Sequence, residues 1–322
     1  MRKIYIFMIT LLFVFALGCE TDTGERVDVD EPFIGGTVGL EMKFTQEAPP
    51  LEVFDNANGL YQFDVNILVE NKGEWDIENK DDAKFTLRGI DVAKDFGLST
   101  SVKELDVPLK RTKKDSQGGI VQGDPTYIEF NDLAYQRETT GTLQLPLWAE
   151  ACYKYGTNAQ TKICVNEELL RDQDTKVCEV NEEKPVENSG APIHVESLKE
   201  SASASDQITF TFDVRHLGSG AIYKEGTKCG GNSVRENEDK VKVIVETGIG
   251  NAGDLKCLGL RDESSEAGKF SGHTTIYDND RRSVTCVQKI DKLEDYEKPI
   301  EITLEYDYKE HIETTLLVKH SD

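Results

Sequence analysis

Basic residues, long hydrophobic runs and helical periodicity are all scarce in this sequence of 322 residues. The 37 Lys and Arg residues are outnumbered by 60 Asp and Glu residues, which gives a formal net charge of -23 at pH 7. Such a charge repels phosphate groups, so no nucleic acid is expected as a partner. A mean hydropathy of -0.48 excludes a polytopic membrane protein.

Catalytic motifs are missing as well. The chain has no H-E-x-x-H pair, no G-x-S-x-G elbow and no Walker loop. Acidic residues are so abundant that no pair of them indicates a glycosidase. The sequence therefore predicts a protein that is not an enzyme and that uses no cofactor.

The one apolar run follows a basic start, Met1–Lys3, and covers residues 4–18. It is shorter than the roughly 20 residues that a transmembrane helix needs, so residues 1–18 are predicted to be a signal peptide. The sequence ALGC at Ala16–Cys19 resembles a lipobox, which predicts lipidation of Cys19, although the motif usually has Leu at the position of Ala16. The alternatives are an ordinary signal peptide and an uncleaved anchor. Each of them places the rest of the chain outside the cytoplasm.

Seven cysteines leave an even six once Cys19 is set aside, and an even number in an oxidising compartment predicts three disulfides. The six are Cys152, Cys164, Cys178, Cys229, Cys257 and Cys286. No pair has the spacing of a zinc site, so no metal ion is expected there. We expect the pairs Cys152–Cys164 and Cys257–Cys286, which leaves Cys178–Cys229 to cross the junction between the two halves of the chain.

Apolar and polar residues alternate in many short runs from residue 36 onward, which is typical of strands with one buried face. The clearest runs are Val38–Phe44, Tyr61–Val69, Leu143–Leu147, Ile208–Val214 and Ile300–Tyr308. The sequence thus predicts an all-β protein with two tandem immunoglobulin-like β-sandwich domains, at residues 36–188 and 189–322. They follow the signal peptide and an acidic tether at residues 19–35.

The two halves of the chain share a pattern. An alternating strand that ends in a glycine turn occurs at Phe63–Gly73 and again at Phe210–Gly218. An alternating strand that runs into Tyr-x-Tyr occurs at Leu143–Tyr155 and again at Ile300–Tyr308. This repetition indicates two related sandwiches in tandem. The Cys…Trp…Cys signature of true immunoglobulin domains is missing, so only the architecture is predicted.

Several short motifs are distinctive in combination. They are Gly36–Leu40, Ala48–Pro50, Cys152–Thr157 with the later Cys164 and Cys178, Gly190–Ile193 and Tyr306–Tyr308. Together they resemble a group of uncharacterised archaeal cell-surface lipoproteins with tandem immunoglobulin-like domains. The resemblance implies an envelope location, a lipid anchor and disulfides. It implies no catalytic residue and no ligand.

Weak candidates for ligand sites are few. Asp278 and Asp280 resemble the start of an EF-hand loop, but Ser283 and Lys289 stand where that loop needs Gly and Glu. Weak calcium binding by Asp278 and Asp280 is therefore the lesser expectation, and a solvated hairpin tip is the greater one.

Two tryptophans and one basic segment are further candidates. Trp75 and Trp148 are candidates for a sugar-stacking platform, with partial burial in the core as the alternative. The basic segment Lys110–Lys114 is a candidate contact for acidic groups, with a solvated loop as the alternative.

Taken together, these features predict a non-enzymatic, lipid-anchored protein on the extracellular face of the cell membrane that acts as a structural or adhesive module. The alternative is a solute- or glycan-binding lipoprotein of the cell envelope. The expected partners are the membrane, through the lipid anchor, and an envelope protein or a glycan.

Overall fold

The computed structural model describes residues 31–55, 61–171, 177–230, 234–277, 280–291 and 294–321. Within these ranges the predicted all-β class is confirmed, because the helical segments are a single α-helix, Val234–Asn237, and a 3-10 turn, Lys80–Asp82. The predicted signal peptide, Cys19 and most of the predicted tether lie outside the described residues. Within the described ranges, no helix is both long and apolar enough to cross a membrane.

The described strands are numbered here in chain order. They are β1 (Leu40–Phe44), β2 (Glu52–Phe54), β3 (Phe63–Asn71), β4 (Ala83–Arg88), β5 (Val102–Glu104), β6 (Lys113–Lys114), β7 (Ile120–Val121), β8 (Thr126–Leu133), β9 (Leu143–Val165), β10 (Glu183–Lys184), β11 (Glu187–Asn188), β12 (Ile193–Ala204), β13 (Gln207–His216), β14 (Ala221–Tyr223), β15 (Lys240–Glu246), β16 (Leu255–Leu258), β17 (Arg261–Glu266), β18 (Lys269–Thr275), β19 (Arg281–Lys289) and β20 (Tyr296–Lys319).

Two unusually long strands, β9 and β20, organise the molecule. They pair antiparallel along their whole length, from Val165 opposite Tyr296 to Leu143 opposite Val318. At about 3.3 Å per residue, the 23 residues of β9 span about 75 Å. The pair lies at the centre of a ten-stranded sheet with the main order β17-β18-β15-β20-β9-β4-β5.

Two smaller sheets cover the two ends of this long sheet. The sheet β1-β3-β8 lies over the end where β4 pairs with β9, and the N–H of Leu40 donates to the hydroxyl of Tyr153 there. The sheet β10-β12-β13-β19-β16 lies over the other end, where the hydroxyl of Thr157 donates to the carbonyl of Ile193. We call these two-layered units the first and the second sandwich.

Strand pairing joins the two predicted domain ranges in one sheet. The first sandwich uses the C-terminal part of β20, and the second sandwich uses the part of β9 that follows Gly156. One continuous cluster of buried apolar residues includes members of both sandwiches. The boundary between residues 188 and 189 stays a prediction, whereas the sharing of β9 and β20 by both sandwiches is observed.

The internal repeat has a structural counterpart in the backbone. In the first sandwich, the N–H groups of Lys72 and Gly73 both donate to the carbonyl of Gly39. In the second sandwich, the N–H groups of Leu217 and Gly218 both donate to the carbonyl of Pro192. The same two-donor turn therefore follows β3 and β13, the two strands at which the sequence pattern repeats.

The described part of the chain contains three disulfides, which are Cys152–Cys229, Cys164–Cys178 and Cys257–Cys286. The predicted pair Cys257–Cys286 is confirmed, whereas the pairs Cys152–Cys164 and Cys178–Cys229 are wrong. Cys152 and Cys164 lie on the same extended strand, β9, which separates their Cα atoms by about 40 Å, while a disulfide allows about 7 Å. Three disulfides indicate an oxidising environment outside the cytoplasm.

Candidate functional site

Four tyrosines meet on the inner face of the long strand pair, where the two sandwiches join. Tyr155 lies opposite Tyr306, and Tyr153 lies opposite Tyr308, so the two Tyr-x-Tyr motifs of the sequence are cross-strand partners. Neighbouring ring centroids are 5.5 to 6.5 Å apart, and all four side chains are buried. We call this group the tyrosine cluster. Because both sandwiches contribute its neighbours, it ties their cores together.

Every hydroxyl of the tyrosine cluster has a partner. The hydroxyl of Tyr155 donates to Asn71 Oδ1 at 2.9 Å, and the hydroxyl of Tyr308 accepts from the N–H of Gly220 at 2.7 Å. The hydroxyls of Tyr153 and Tyr306 lie within hydrogen-bonding distance of Glu310 and Thr157. Burial raises the pKa of all four phenols. They are therefore neutral, bonded core groups and not candidates for acid–base catalysis.

Glu74 fixes the end of the predicted tether beside this cluster. Its carboxylate accepts hydrogen bonds from the N–H groups of Ile34, Gly35 and Gly190 at 3.0, 2.9 and 2.7 Å. The side chain is buried. A Cβ at Gly73 would lie 2.2 Å from the hydroxyl of Tyr155, so the chain packs tightly here. Residues 34 and 35 therefore meet the body of the protein near the middle of β9.

The outer face of β9 and β20 carries a second candidate site, directly across the sheet from the tyrosine cluster. Trp75, in the loop between β3 and β4, lies over Gly156 of β9. A Cβ at position 156 would lie 2.7 Å from Cε3 and Cζ3 of the indole, so this close approach requires glycine. The glycine in the strand thus explains how a loop tryptophan reaches the sheet.

A groove of about 320 Å³ opens around this tryptophan. We call it the junction groove, and it is lined by Glu74, Trp75, Asp76, Glu78, Asn79, Asp82, Arg111, Lys154 and Asn158. Lys154 and Asn158 project to the outer face of β9 on either side of Gly156, because alternate residues of a strand share a face. The groove is therefore built by β9, by the segment around Trp75 that precedes it by about 80 residues, and by Arg111 of the segment between β5 and β6.

Three donors in the junction groove have no partner within the described part of the chain. Among the described residues, no hydrogen bond or ion pair engages the amino group of Lys154, the side-chain amide of Asn158 or the indole N–H of Trp75. In contrast, the acidic groups are engaged, since Asp82 accepts from the amide of Asn79 at 2.7 Å and Asp76 accepts from the N–H of Arg111 at 2.9 Å. The groove thus offers donors to a ligand.

A smaller cleft of about 40 Å³ continues the groove toward the Cys152–Cys229 disulfide. It shares Asp82 and Lys154 with the groove and ends on Asp307. Asp307 is buried, and its carboxylate accepts the N–H groups of Gly226 and Lys228 at 3.0 and 2.5 Å. Desolvation raises the pKa of Asp307. Because backbone donors surround it, this carboxylate holds the 226–229 loop in place.

Two carboxylates next to the core, the partly buried Glu310 and the buried Glu200, have raised pKa values. Desolvation raises the pKa of Glu310, which accepts from Tyr153, to about 7. It also raises the pKa of Glu200 to about 8, although the N–H of Cys164 and the amino group of Lys184 lie against this carboxylate. Neither group lines the junction groove.

The raised pKa of Glu310 predicts that the free energy of unfolding falls as the pH rises. The folded carboxyl stays protonated up to about pH 7, whereas the unfolded one ionises near 4.5, so the free energy of unfolding declines between these values. A shift of this size corresponds to about 3 kcal/mol. Glu310→Gln keeps an acceptor for the hydroxyl of Tyr153 but cannot ionise. We therefore expect the free energy of unfolding, measured in urea, to fall less between pH 5 and pH 8 in this variant than in the wild type. Glu313→Gln, an exposed change on the same strand, serves as the control and should leave the loss unchanged.

The calcium candidates receive no support as a site. Asp278 lies outside the described residues, and Asp280 accepts the N–H of its neighbour Arg281 at 2.8 Å. Within the described ranges, no group of three or more His, Cys, Asp or Glu side chains has the arrangement of a metal site.

Three of the described histidines contact acidic or aromatic side chains. His320 and the hydroxyl of Ser321 both contact the carboxylate of Asp55, at 2.9 and 3.1 Å. His273 pairs with Glu225 at 3.0 Å, and His216 contacts Tyr308 at 3.0 Å. Within the described residues, these contacts bond each histidine ring to a neighbouring side chain.

One glycine pattern has the spacing of a nucleotide-binding fingerprint, G-x-G-x-x-G at Gly248–Gly253. It joins β15 to β16, which belong to different antiparallel sheets, and no helix follows it in the described part. Pyrophosphate binding needs a helix N-terminus after the glycines, so this loop does not have the required context.

The other candidates from the sequence have contrasting positions. Trp148 is 41% exposed and stacks on His311 at a centroid distance of 5.7 Å, away from the junction groove. In the basic segment, Lys110 pairs with Glu78 at 3.7 Å and Arg111 pairs with Asp76 at 3.7 Å. Part of this segment therefore offsets some of the negative charge on the acidic wall of the groove.

Comparison with known proteins adds little. The chain matches no protein-family model and no curated protein sequence. Among solved structures, it is similar to the secreted serine protease VesC from Vibrio cholerae, with 10% identity and a TM-score of 0.18, over 84% of this chain and 51% of that one. A second match is described as "Complete structure of manganese lipoxygenase of Gaeumannomyces graminis and partial structure of zonadhesin of Komagataella pastoris", with 8% identity and a TM-score of 0.20, over 89% of this chain and 96% of that one. The chain thus spans about half the length of the protease, and likenesses at these TM-scores carry no argument about function.

Proposed function

We propose that this chain is a non-enzymatic, lipid-anchored protein of the cell surface whose two sandwiches act as a structural or adhesive module. The observation that carries the proposal is the continuous pairing of β9 and β20 through both sandwiches. A sheet without an intervening linker resists bending between the sandwiches, as a surface protein under mechanical force requires. The three disulfides support a role in an oxidising, extracellular setting.

The sequence features support the same proposal. The lipobox-like Ala16–Cys19, the tether at residues 19–35 and the resemblance to archaeal surface lipoproteins all fit an anchored protein. The partners are then the membrane, through lipid on Cys19, and an envelope protein or a glycan. The alternative, a glycan-binding lipoprotein of the envelope, is favoured by one observation, the three unpartnered donors of the junction groove among the described residues.

The anchor has a direct test. Cys19→Ser removes the thiol that carries the lipid, so we expect the protein to leave the membrane fraction or to accumulate as an uncleaved precursor. Stable anchoring needs two acyl chains on that residue, which mass spectrometry of the wild-type protein detects. Thr21→Ser, a conservative change two residues further along the chain, is the matched control and should leave fractionation unchanged. Unchanged membrane association and mass in Cys19→Ser would refute the anchor.

A further inference from the structure

We propose that the junction groove binds a neutral sugar ring of a glycan, with Trp75 as its stacking surface and Lys154 and Asn158 as its hydrogen-bond donors. The inference rests on the proposed surface role and names the ligand class of one site within it. The shape of the groove, its free donors and its charge all fit this ligand.

The groove has the shape of a small-ligand site. An indole that lies on the glycine of a strand is fixed against the sheet backbone, so it presents a preformed apolar surface. Trp75 is only partly buried, although it packs against the core. A groove of about 320 Å³ has the size of a small-ligand site in which an aromatic side chain is combined with a few polar groups.

Hydrogen-bond donors lie on both sides of the indole. Lys154 and Asn158 are four residues apart on one face of β9, which places their Cα atoms about 13 Å apart with the indole between them. Among the described residues, neither side chain has a partner, and neither has the indole N–H. A pyranose ring carries hydroxyl and ring oxygens around an apolar body, so it accepts hydrogen bonds at its rim while its face lies on the indole.

The lining of the groove carries a net negative charge. Four acidic residues, Glu74, Asp76, Glu78 and Asp82, line the groove against two basic ones, Arg111 and Lys154. This excess of negative charge disfavours uronic acids, sialic acids and sulfated sugars, because each would bring a further anion. The carboxylates of Glu78 and Asp82 can instead accept hydrogen bonds from the hydroxyl groups of a sugar. The balance therefore favours an uncharged sugar.

Fluorescence titration of the full-length protein in detergent tests the proposal, because the chain contains two tryptophans. Trp148→Phe leaves Trp75 as the only indole. Methyl hexosides and neutral oligosaccharides of glucose, galactose, mannose and N-acetylglucosamine are the probes, and oligogalacturonate is the acidic counterpart. We expect a saturable change in Trp75 emission with at least one neutral probe and a weaker one with oligogalacturonate.

Variants of the groove give the second readout, by calorimetry with the best neutral probe. We expect Trp75→Ala to weaken binding by about tenfold or more, and Lys154→Met and Asn158→Ala by about fivefold each, as for the loss of one hydrogen bond. Gly156→Val leaves Lys154 and Asn158 in place but pushes the indole off the strand, because a Cβ there would lie 2.7 Å from the ring, and it should weaken binding at least as much as Trp75→Ala does. Trp148→Phe is the matched control and should bind as the wild type does.

The outcomes separate this inference from the proposed function. Any of three results would overturn the sugar site and leave the proposed surface role unaffected. They are no binding of any neutral probe, binding by Trp75→Ala equal to that of the wild type, and tighter binding of oligogalacturonate than of the neutral probes. Absence of a membrane anchor in the wild type would overturn the surface role and leave the groove standing. Circular dichroism of each variant shows whether it is folded, and Asn158→Ala keeps the test decisive if the Trp75 variant is not.

Discussion

Loss of the Cys152–Cys229 disulfide is expected to lower the free energy of unfolding by about 4.5 kcal/mol, as the chain-entropy model gives for a loop of this length. The bridge joins β9 to the loop that surrounds Asp307. Without it, the N–H groups of Gly226 and Lys228 lose their fixed position, and a buried carboxylate loses donors. The measurement is urea unfolding of Cys152→Ala/Cys229→Ala under oxidising conditions.

The pair Cys164–Cys178 is the control for this effect. Its sequence separation is 14, against 77 for Cys152–Cys229, so the same model gives a loss of about 3 kcal/mol. We therefore expect Cys164→Ala/Cys178→Ala to be the less destabilised of the two double variants. The reverse order would show that the 226–229 loop holds its position without the bridge.

Removing one ring from the tyrosine cluster is expected to have an effect of similar size on both sandwiches at once. Tyr306 is fully buried between Tyr155 and Tyr308, and substitution of a buried aromatic residue by alanine typically costs about 3 to 5 kcal/mol. Because the cluster belongs to both sandwiches, they should unfold together in one transition, and Tyr306→Ala should shift the midpoint of that transition to a lower denaturant concentration. Denaturant unfolding followed by tryptophan fluorescence and by far-ultraviolet circular dichroism measures it.

Two matched variants calibrate this prediction. Tyr306→Phe keeps the ring and removes only the hydroxyl near Thr157, so its cost should be about 1 kcal/mol. Tyr127 is 56% exposed, and Tyr127→Ala should change stability by less than about 0.5 kcal/mol. Two separate transitions in Tyr306→Ala, with only one of them displaced, would contradict a shared core.

Local sequence patterns predict the strand class well because burial alternates with period two. Val65, Ile67 and Val69 are all buried in β3, as the alternation predicts. The length of β9 is not predictable in this way. Its second half contains Gly156 and Asn158, residues that are uncommon inside strands, and their place is set by a loop tryptophan and by pairing with β20.

Non-local pairing also explains what sequence spacing misses. The two Tyr-x-Tyr motifs are recognisable as a repeat, but their contact across about 150 residues has no local signal. Spacing likewise suggests a short loop between Cys152 and Cys164, whereas an extended strand separates them. Trp75 is a candidate from its residue type alone. Lys154 and Asn158 are not, because only the sheet places them beside it.

The contact of Glu74 with Ile34 and Gly35 has a consequence for how far the protein reaches from a surface. The tether meets the molecule near the middle of a sheet about 75 Å long, so either end extends only about 38 Å beyond that point. Under the proposed lipidation, the residues from Cys19 to Ile34 add at most about 50 Å at full extension. The length of the tether therefore sets the distance between the membrane and the folded part of the protein. Both ends of the long sheet lie at equal distances from the point of attachment, so both can contact a neighbouring surface.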